Sequence, residues 1–141
     1  MAGMTKVVAK AVVFDENNDV LLIRRSATDT RRPLQWDTPG GGVDEGEDYV
    51  AGVAREIAEE VGIEVATDDL HIVYATSDQG EHGNVVWIYY VCRVANTTPV
   101  LSEEHDEYKW VPIDTVSQVI TYYRQLDAFT YIKDRSLFPP R

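Results

Sequence analysis

Eight residues near the middle of the chain, Arg55-Glu56-Ile57-Ala58-Glu59-Glu60-Val61-Gly62, set three carboxylates beside one guanidinium. The spacing of Val50, Val53, Ala54, Ile57 and Val61 predicts an amphipathic helix over 48–61, with Gly62 as its left-handed stop. Glu56 and Glu60 lie four apart along one edge of the apolar stripe, and Glu59 lies three from Glu56. Like charges at this spacing cost roughly a few tenths of a kcal/mol per pair. They also stand at the end of the helix where the backbone dipole is negative. Arg55 precedes Glu59 by four, the less favourable order, and Glu64 adds further negative charge.

Two readings of this face stay open at this point. One is a solvated exterior, which most charge runs are. The other is a site for a hard divalent cation, which removes the repulsion. Mg²⁺ takes a few carboxylates and completes its octahedron with water and substrate phosphates. An EF-hand is excluded, because 44–56 lacks the alternating oxygen ligands around a central glycine. Just upstream, Pro39-Gly40-Gly41-Gly42 lets backbone approach a ligand closely, since no Cβ intrudes.

The chain has 141 residues, 44% of them hydrophobic and 26% charged, the composition of a single soluble globular domain, 1–141. No apolar run approaches the roughly 20 residues that cross a bilayer. No signal-peptide pattern opens the sequence. The expectation is therefore a cytoplasmic protein without a membrane partner. The lone Cys92 fits a reducing compartment and reads as a buried small hydrophobe. A net charge of −11 repels nucleic-acid polymers. It does not exclude a small phosphorylated substrate, because a bound cation reverses the local charge.

The elements that must position these groups follow from periodicity. Residues 5–15 read as a strand, and 20–25 as its hairpin partner across a Glu16-Asn17-Asn18-Asp19 turn. Residues 26–36 read as a loop and 37–47 as a glycine-rich turn. Residues 63–78 hold one or two strands, with strands at 84–94 and 107–113. Residues 114–134 hold one broken or two short helices, with Asp114 as N-cap. Strands, helix, strands, helix give a mixed α/β sheet with flanking helices, not a doubly wound one.

From Gly41 to Ile63 the chain resembles the Nudix box, G-x5-E-x7-R-E-U-x-E-E-x-G-U with U apolar. All nine specified positions fit: Gly41, Glu47, Arg55, Glu56, Ile57, Glu59, Glu60, Gly62 and Ile63. The flanks are also similar, with Arg24-Arg25 ending the second strand, Trp36 and Pro39-Gly40-Gly41 before the box, and an acidic loop before Tyr108-Lys109-Trp110. The resemblance to the Nudix hydrolases, and to their MutT-like members, implies an α/β/α sandwich around a mixed sheet. It implies hydrolysis of a diphosphate linkage in a nucleoside diphosphate joined to another group, with Mg²⁺, or Mn²⁺, as cofactor.

By the family pattern Glu56 and Glu60 are the principal metal ligands, with Glu59 contributing directly or through water and Gly40 through its carbonyl. Arg55 orients the glutamates, Glu47 ties the loop to the helix, and Gly41 and Gly62 shape the motif. The base that receives the proton of the attacking water is a box glutamate or a loop glutamate. Among Glu103, Glu104 and Glu107 the spacing to Trp110 favours Glu104, which would also be a metal ligand. Arg24 is favoured over Arg25 as a phosphate contact, and Gly41 and Trp36 as substrate contacts. Trp36 is otherwise a packing residue, the same alternative that holds for Tyr74, Trp87 and Tyr89. Arg31 and Arg32 are expected in solvent. His105 is expected in a loop and His82 in a turn, neither with a catalytic role.

The implied substrate is foremost a nucleoside triphosphate. Dinucleoside polyphosphates, dihydroneopterin triphosphate, ADP-ribose and sugar nucleotides are the alternatives. A non-catalytic nucleotide-sensing module on the same fold is the reading of another class. The partner is a small molecule, and the protein is expected as a monomer or homodimer.

Overall fold

The computed structural model describes residues 4–81 and 83–141, so His82 lies outside the described residues. In chain order the strands and helices are β1 (Met4–Phe14), β2 (Asp19–Arg25), β3 (Trp36–Asp37), β4 (Gly40–Gly42), α1 (Tyr49–Val61), β5 (His71–Gly80), β6 (Gly83–Arg93), β7 (His105–Pro112) and α2 (Tyr123–Asp134). Short 3₁₀ turns occupy Thr67–Asp69 and Ile113–Gln118. No helix among the described residues is long and apolar enough to cross a membrane.

The sheet is mixed and folds around β1. β1 runs parallel to β6 along its whole length, from Met4↔Gly83 to Phe14↔Arg93, and β6 pairs antiparallel with β5. β2 pairs antiparallel with β7 and with β3. The expected β1–β2 hairpin holds for one rung only, Phe14↔Val20, after which the strands part. Parting gives each strand a different partner: β4 lies on β1, and β7 lies on β2.

Alternation along β1 and β2 builds two cores. Ala9, Ala11, Val13, Leu21 and Ile23 pack with Val53, Ile57 and Val61 of α1. Val12, Phe14, Val20 and Leu22 pack with Ala128, Phe129 and Ile132 of α2. A period-two strand thus feeds a helix on each face, which is the α/β/α sandwich.

Local differences from the sequence reading have simple causes. Residues 63–66 lie outside any strand, so 63–78 holds one strand, β5, preceded by a turn. Asp114 lies inside the Ile113–Gln118 turn, where Pro112 takes the N-cap position. Its carboxylate instead bonds Lys133 Nζ at 2.6 Å, so it staples that turn to α2 rather than capping it. His105 begins β7 and is buried, not a loop residue. Cys92 is buried, and burial pushes its thiol up to about 12.

Candidate metal and diphosphate site

The glycine strand and the acidic helix are locked together before any ligand arrives. β4 lies on β1 through Val8↔Gly42, Ala9↔Gly41 and Lys10↔Gly40. Gly40 has φ +128°, and a Cβ there would collide with the Ala9 carbonyl and sit 2.7 Å from Lys10 Cα. A Cβ on Gly41 would stand 3.2 Å from Glu56 Oε1, so this backbone faces the Glu56 carboxylate directly. α1 ends at Gly62, whose φ of 67° and ψ of 23° let its N–H reach Ala58 O.

Arg55 organises the exposed side of the helix. Its Nε and Nη2 donate to Glu47 Oε2 and Oε1 at 2.8 and 3.0 Å, a two-pronged grip. Nη1 reaches Glu59 at 3.2 Å and Glu56 at 3.4 Å. Glu47 Oε1 also accepts from the Asp44 N–H at 3.1 Å, so the loop, the arginine and two helix glutamates form one unit. Hydrogen bonds from Arg55 hold the Glu47 carboxyl below its ordinary range.

Glu60 turns the other way, into the protein. It is 5% exposed, and Oε1 accepts from the Gly40 N–H at 2.7 Å. Burial pushes its carboxyl up to about 7, against the opposing pull of Lys10 and the Gly40 N–H. Lys10 is itself committed: Nζ lies 3.2 Å from Asp37 Oδ2 and 3.2 Å from the Gly40 carbonyl. Asp37 in turn accepts from Gln125 Nε2 at 2.6 Å and the Thr38 N–H at 2.7 Å, tying α2 to the floor of the site. The Gly40 carbonyl therefore already accepts from Lys10.

A distant loop closes the cluster. The Ser102 N–H donates to the carbonyl of Glu60, and the Ser26 N–H to the carbonyl of Glu104, at 3.1 and 2.9 Å. These bonds set Glu104, Glu60 and His105 so that one ligand atom from each lies within 4.8 Å of the others. Glu104 is exposed at the mouth, while His105 and Glu60 are buried. His105 Nε2 stands 3.9 Å from Glu60 Oε2, and burial holds its imidazole down to about 4. The pair is thus not an ion pair at neutral pH.

These residues fit a divalent cation. Two carboxylates, Glu56 and Glu60, are raised by burial, and each lacks a cation pairing it as closely as Arg55 pairs Glu47. His105 Nδ1 is buried without a hydrogen-bond partner among the described residues. Glu56, Glu60 and Glu104, with Glu59 beside them, are the groups that would hold the ion.

Next to the glycine strand lies a cavity of about 320 Å³ lined by Lys6, Lys10, Arg25, Arg31 and Arg32, with Asp29 and Asp37 as the acids among its described lining residues. In a chain of net charge −11 this is a concentrated positive field. Arg25 and not Arg24 lines it. Arg24 bonds Asp106 at 2.8 Å and Glu107 at 3.3 Å. Arg31 and Arg32 are exposed, as expected, and also line the wall. An adjoining cavity of about 260 Å³ is walled by Trp36, Trp87 and Tyr122. Trp36 there packs under Lys109, with Nζ 4.3 Å from the ring centroid.

Glu103 is exposed, and Glu107 is exposed and engaged with Arg24. The sequence reading did not single out Lys10, Asp37 or Gln125, placed Arg25 behind Arg24 and gave His105 no role. A lysine amid the apolar Val7-Val8-Ala9-Lys10-Ala11-Val12 run was the available signal for Lys10.

Fold and site together define an α/β/α domain that gathers carboxylates from a glycine strand's helix and a distant loop beside a basic cavity. The chain belongs to the NUDIX domain family, whose model matches residues 4–130. It is 34% identical over 107 residues to a "MutT-like protein" of Streptomyces ambofaciens, covering 76% of this chain and 64% of that protein. It is 30% identical over 112 residues to the nucleoside triphosphatase NudI of Escherichia coli, covering 72% of this chain and 79% of NudI. The MutT protein of Methanosarcina mazei superposes with a TM-score of 0.79 at 28% identity, covering 96% of this chain and 97% of that one. The chain thus spans somewhat less than two thirds of the Streptomyces relative and more of the other two.

Proposed function

We propose that this protein is a Mg²⁺-dependent pyrophosphohydrolase of nucleoside diphosphates linked to a further group, acting foremost on nucleoside triphosphates, with Mn²⁺ as an alternative ion. The observation that carries the reading is that Glu60 of α1 and Glu104 of a distant loop converge within 4.8 Å, and Glu56 faces Gly41, next to a glycine strand whose other side is a cavity lined by five cations. Resemblance to NudI, a nucleoside triphosphatase, supports the substrate class.

In this reading the phosphate chain lies along β4, where Gly41 leaves room beside Glu56, and Lys6, Arg25, Arg31 and Arg32 balance its charge. The nucleobase lies against Trp36 and Trp87. Water attacks a phosphorus of the diphosphate bridge, its proton passes to Glu104 at the mouth, and the bridging P–O bond breaks in line with the attack. The cation, when bound, neutralises charge on the phosphoryl and leaving oxygens. Arg55 keeps Glu56 and Glu59 in place, and Gly40 with Lys10 keeps Glu60 in place. Positioning and electrostatics carry this chemistry.

The test is release of phosphate or pyrophosphate from a panel of triphosphates, dinucleoside polyphosphates, dihydroneopterin triphosphate and ADP-ribose, with and without Mg²⁺, beside Glu60→Gln. Metal-dependent turnover, fastest on triphosphates and lost in the variant, is expected. Turnover indifferent to metal or to Glu60 overturns the reading, and tight binding without products favours a sensing module.

A further inference from the structure

The buried end of the carboxylate cluster contains a group that oxygen chemistry does not need. His105 is the first residue of β7, opposite Arg25 of β2. Between Arg24 and Arg25 the register slips: Arg24 faces Glu107 and Arg25 faces His105, leaving Asp106 as the extra residue. A bulge of this kind re-aims side chains. Here it sends Asp106 out to Arg24 and leaves His105 inside, with 2% of its side chain exposed. The backbone around it is fixed, since the His105 N–H donates to Ser102 O and the Ser102 N–H to Glu60 O.

The His105 Nδ1 has no partner among the described residues. Its Nε2 faces Glu60 Oε2 at 3.9 Å, too long for a hydrogen bond. An ion can reach both groups across this gap, since two metal–ligand bonds of about 2.0–2.2 Å span up to roughly 4.2 Å. Glu60 Oε1 is taken by the Gly40 N–H, which leaves Oε2 for such an ion. Glu104 supplies a further oxygen within the same 4.8 Å circle.

We propose that His105 is a nitrogen ligand of the cation held by Glu60 and Glu104, so that this site prefers Mn²⁺ and Co²⁺ to Mg²⁺. The proposal rests on the metal-binding part of the function proposed above. Imidazole suits later first-row ions, and affinity rises from Mn²⁺ to Co²⁺ at a mixed nitrogen–oxygen site. Mg²⁺, bound through oxygen and water, gains little from it. The site then discriminates between ions that an all-carboxylate cluster treats more alike.

The experiment uses the full chain without nucleotide. The sequence has three histidines, so the His71→Gln/His82→Gln double variant keeps His105 alone. Pulsed electron paramagnetic resonance of its Mn²⁺ complex should show ¹⁴N coupling of imidazole type. Titration of His105→Gln, which keeps an oxygen donor of similar reach, should show Co²⁺ and Mn²⁺ bound about tenfold or more weakly and Mg²⁺ nearly unchanged. A double-variant complex without nitrogen coupling overturns the proposal whether or not His105→Gln folds. Equal weakening for all three ions overturns it too, because it assigns His105 a structural role. Nucleotide turnover in Mg²⁺ is scored separately: turnover without nitrogen coupling removes only the His105 ligand, and coupling without turnover removes only the hydrolase.

Discussion

Arg55 holds Glu47 by two parallel hydrogen bonds of 2.8 and 3.0 Å, across eight residues of chain that include the start of α1. The consequence reaches both ways. Glu47 fixes the loop through the Asp44 N–H, and Arg55 uses its remaining nitrogen on Glu59 and Glu56. The arginine thus spends one edge of its plane on the scaffold and the other on the carboxylates.

Arg55→Lys is therefore not a conservative change. An ammonium keeps the charge and loses the fork. Because the group is partly solvated, the expected effect on melting temperature is small. The expected effect on kcat is a loss of roughly tenfold to a hundredfold, since ligand orientation governs this chemistry. Thermal melts and steady-state kinetics on the same preparations check the split, and a large stability loss with kcat preserved would refute it.

Gly40 and Gly41 should fail differently on substitution by alanine. At Gly40 the new Cβ meets the backbone of β1 with φ at +128°, and nothing there can yield cheaply. Gly40→Ala should lower stability by about 2 kcal/mol or more. At Gly41 the nearest atoms to the Cβ are those of the Glu56 carboxylate, 3.2 Å away, which can swing aside. Gly41→Ala should melt within a few degrees of the parent and lose much of its metal-dependent activity. Circular-dichroism melts with matched assays decide it, and equal destabilisation by the two variants would contradict the geometry.

The two arginines that end β2 should separate in KM. Arg25 lines the basic cavity, anchored by Asp29 at 2.8 Å, whereas Arg24 is spent on Asp106 and Glu107. Arg25→Ala should raise KM for a triphosphate by roughly tenfold, and Arg24→Ala by far less. Progress curves over a range of substrate concentrations measure this, and a larger effect at Arg24 would reverse the assignment.

What the sequence made legible follows from locality. α1 and its Gly62 stop depend on residues within a few turns of each other, and helical periodicity exposes them, whereas the roles of Arg55 and Glu47 came from the resemblance of 41–63 to the Nudix box. The sandwich followed from the order of elements and the motif. The partners of β1 did not, because parallel pairing with β6 joins residues about 79 apart and leaves no short-range pattern. The β1–β2 hairpin was the natural local expectation and survives as a single rung. Lys10, Asp37 and Gln125 were invisible for the same reason: each is explicable only beside the other two, across 27 and 88 residues. His105 was missed because the strand begins at His105, two residues before the expected start at 107, across a bulge that sequence alternation does not show.

Glu60 and His105 give opposite pH signatures in the metal-free protein. Burial raises the Glu60 carboxyl from 4.5 to about 7. A folded value above the unfolded one means stability that is full below about 4.5 and is lost as pH rises through 7. Burial lowers the His105 imidazole from 6.5 to about 4. That stability is full above about 6.5 and is lost as pH falls through 4. Between about 4.5 and 6.5 the two slopes oppose each other, so their joint contribution is nearly flat. Each variant should unmask the other slope: His105→Gln should lose stability relative to the parent as pH rises from 4.5 to 7, and Glu60→Gln should gain it from 4 to 6.5. Denaturant midpoints in chelator across this range measure both. Parallel slopes in the two variants would mean that the groups do not titrate as a buried, neutral pair.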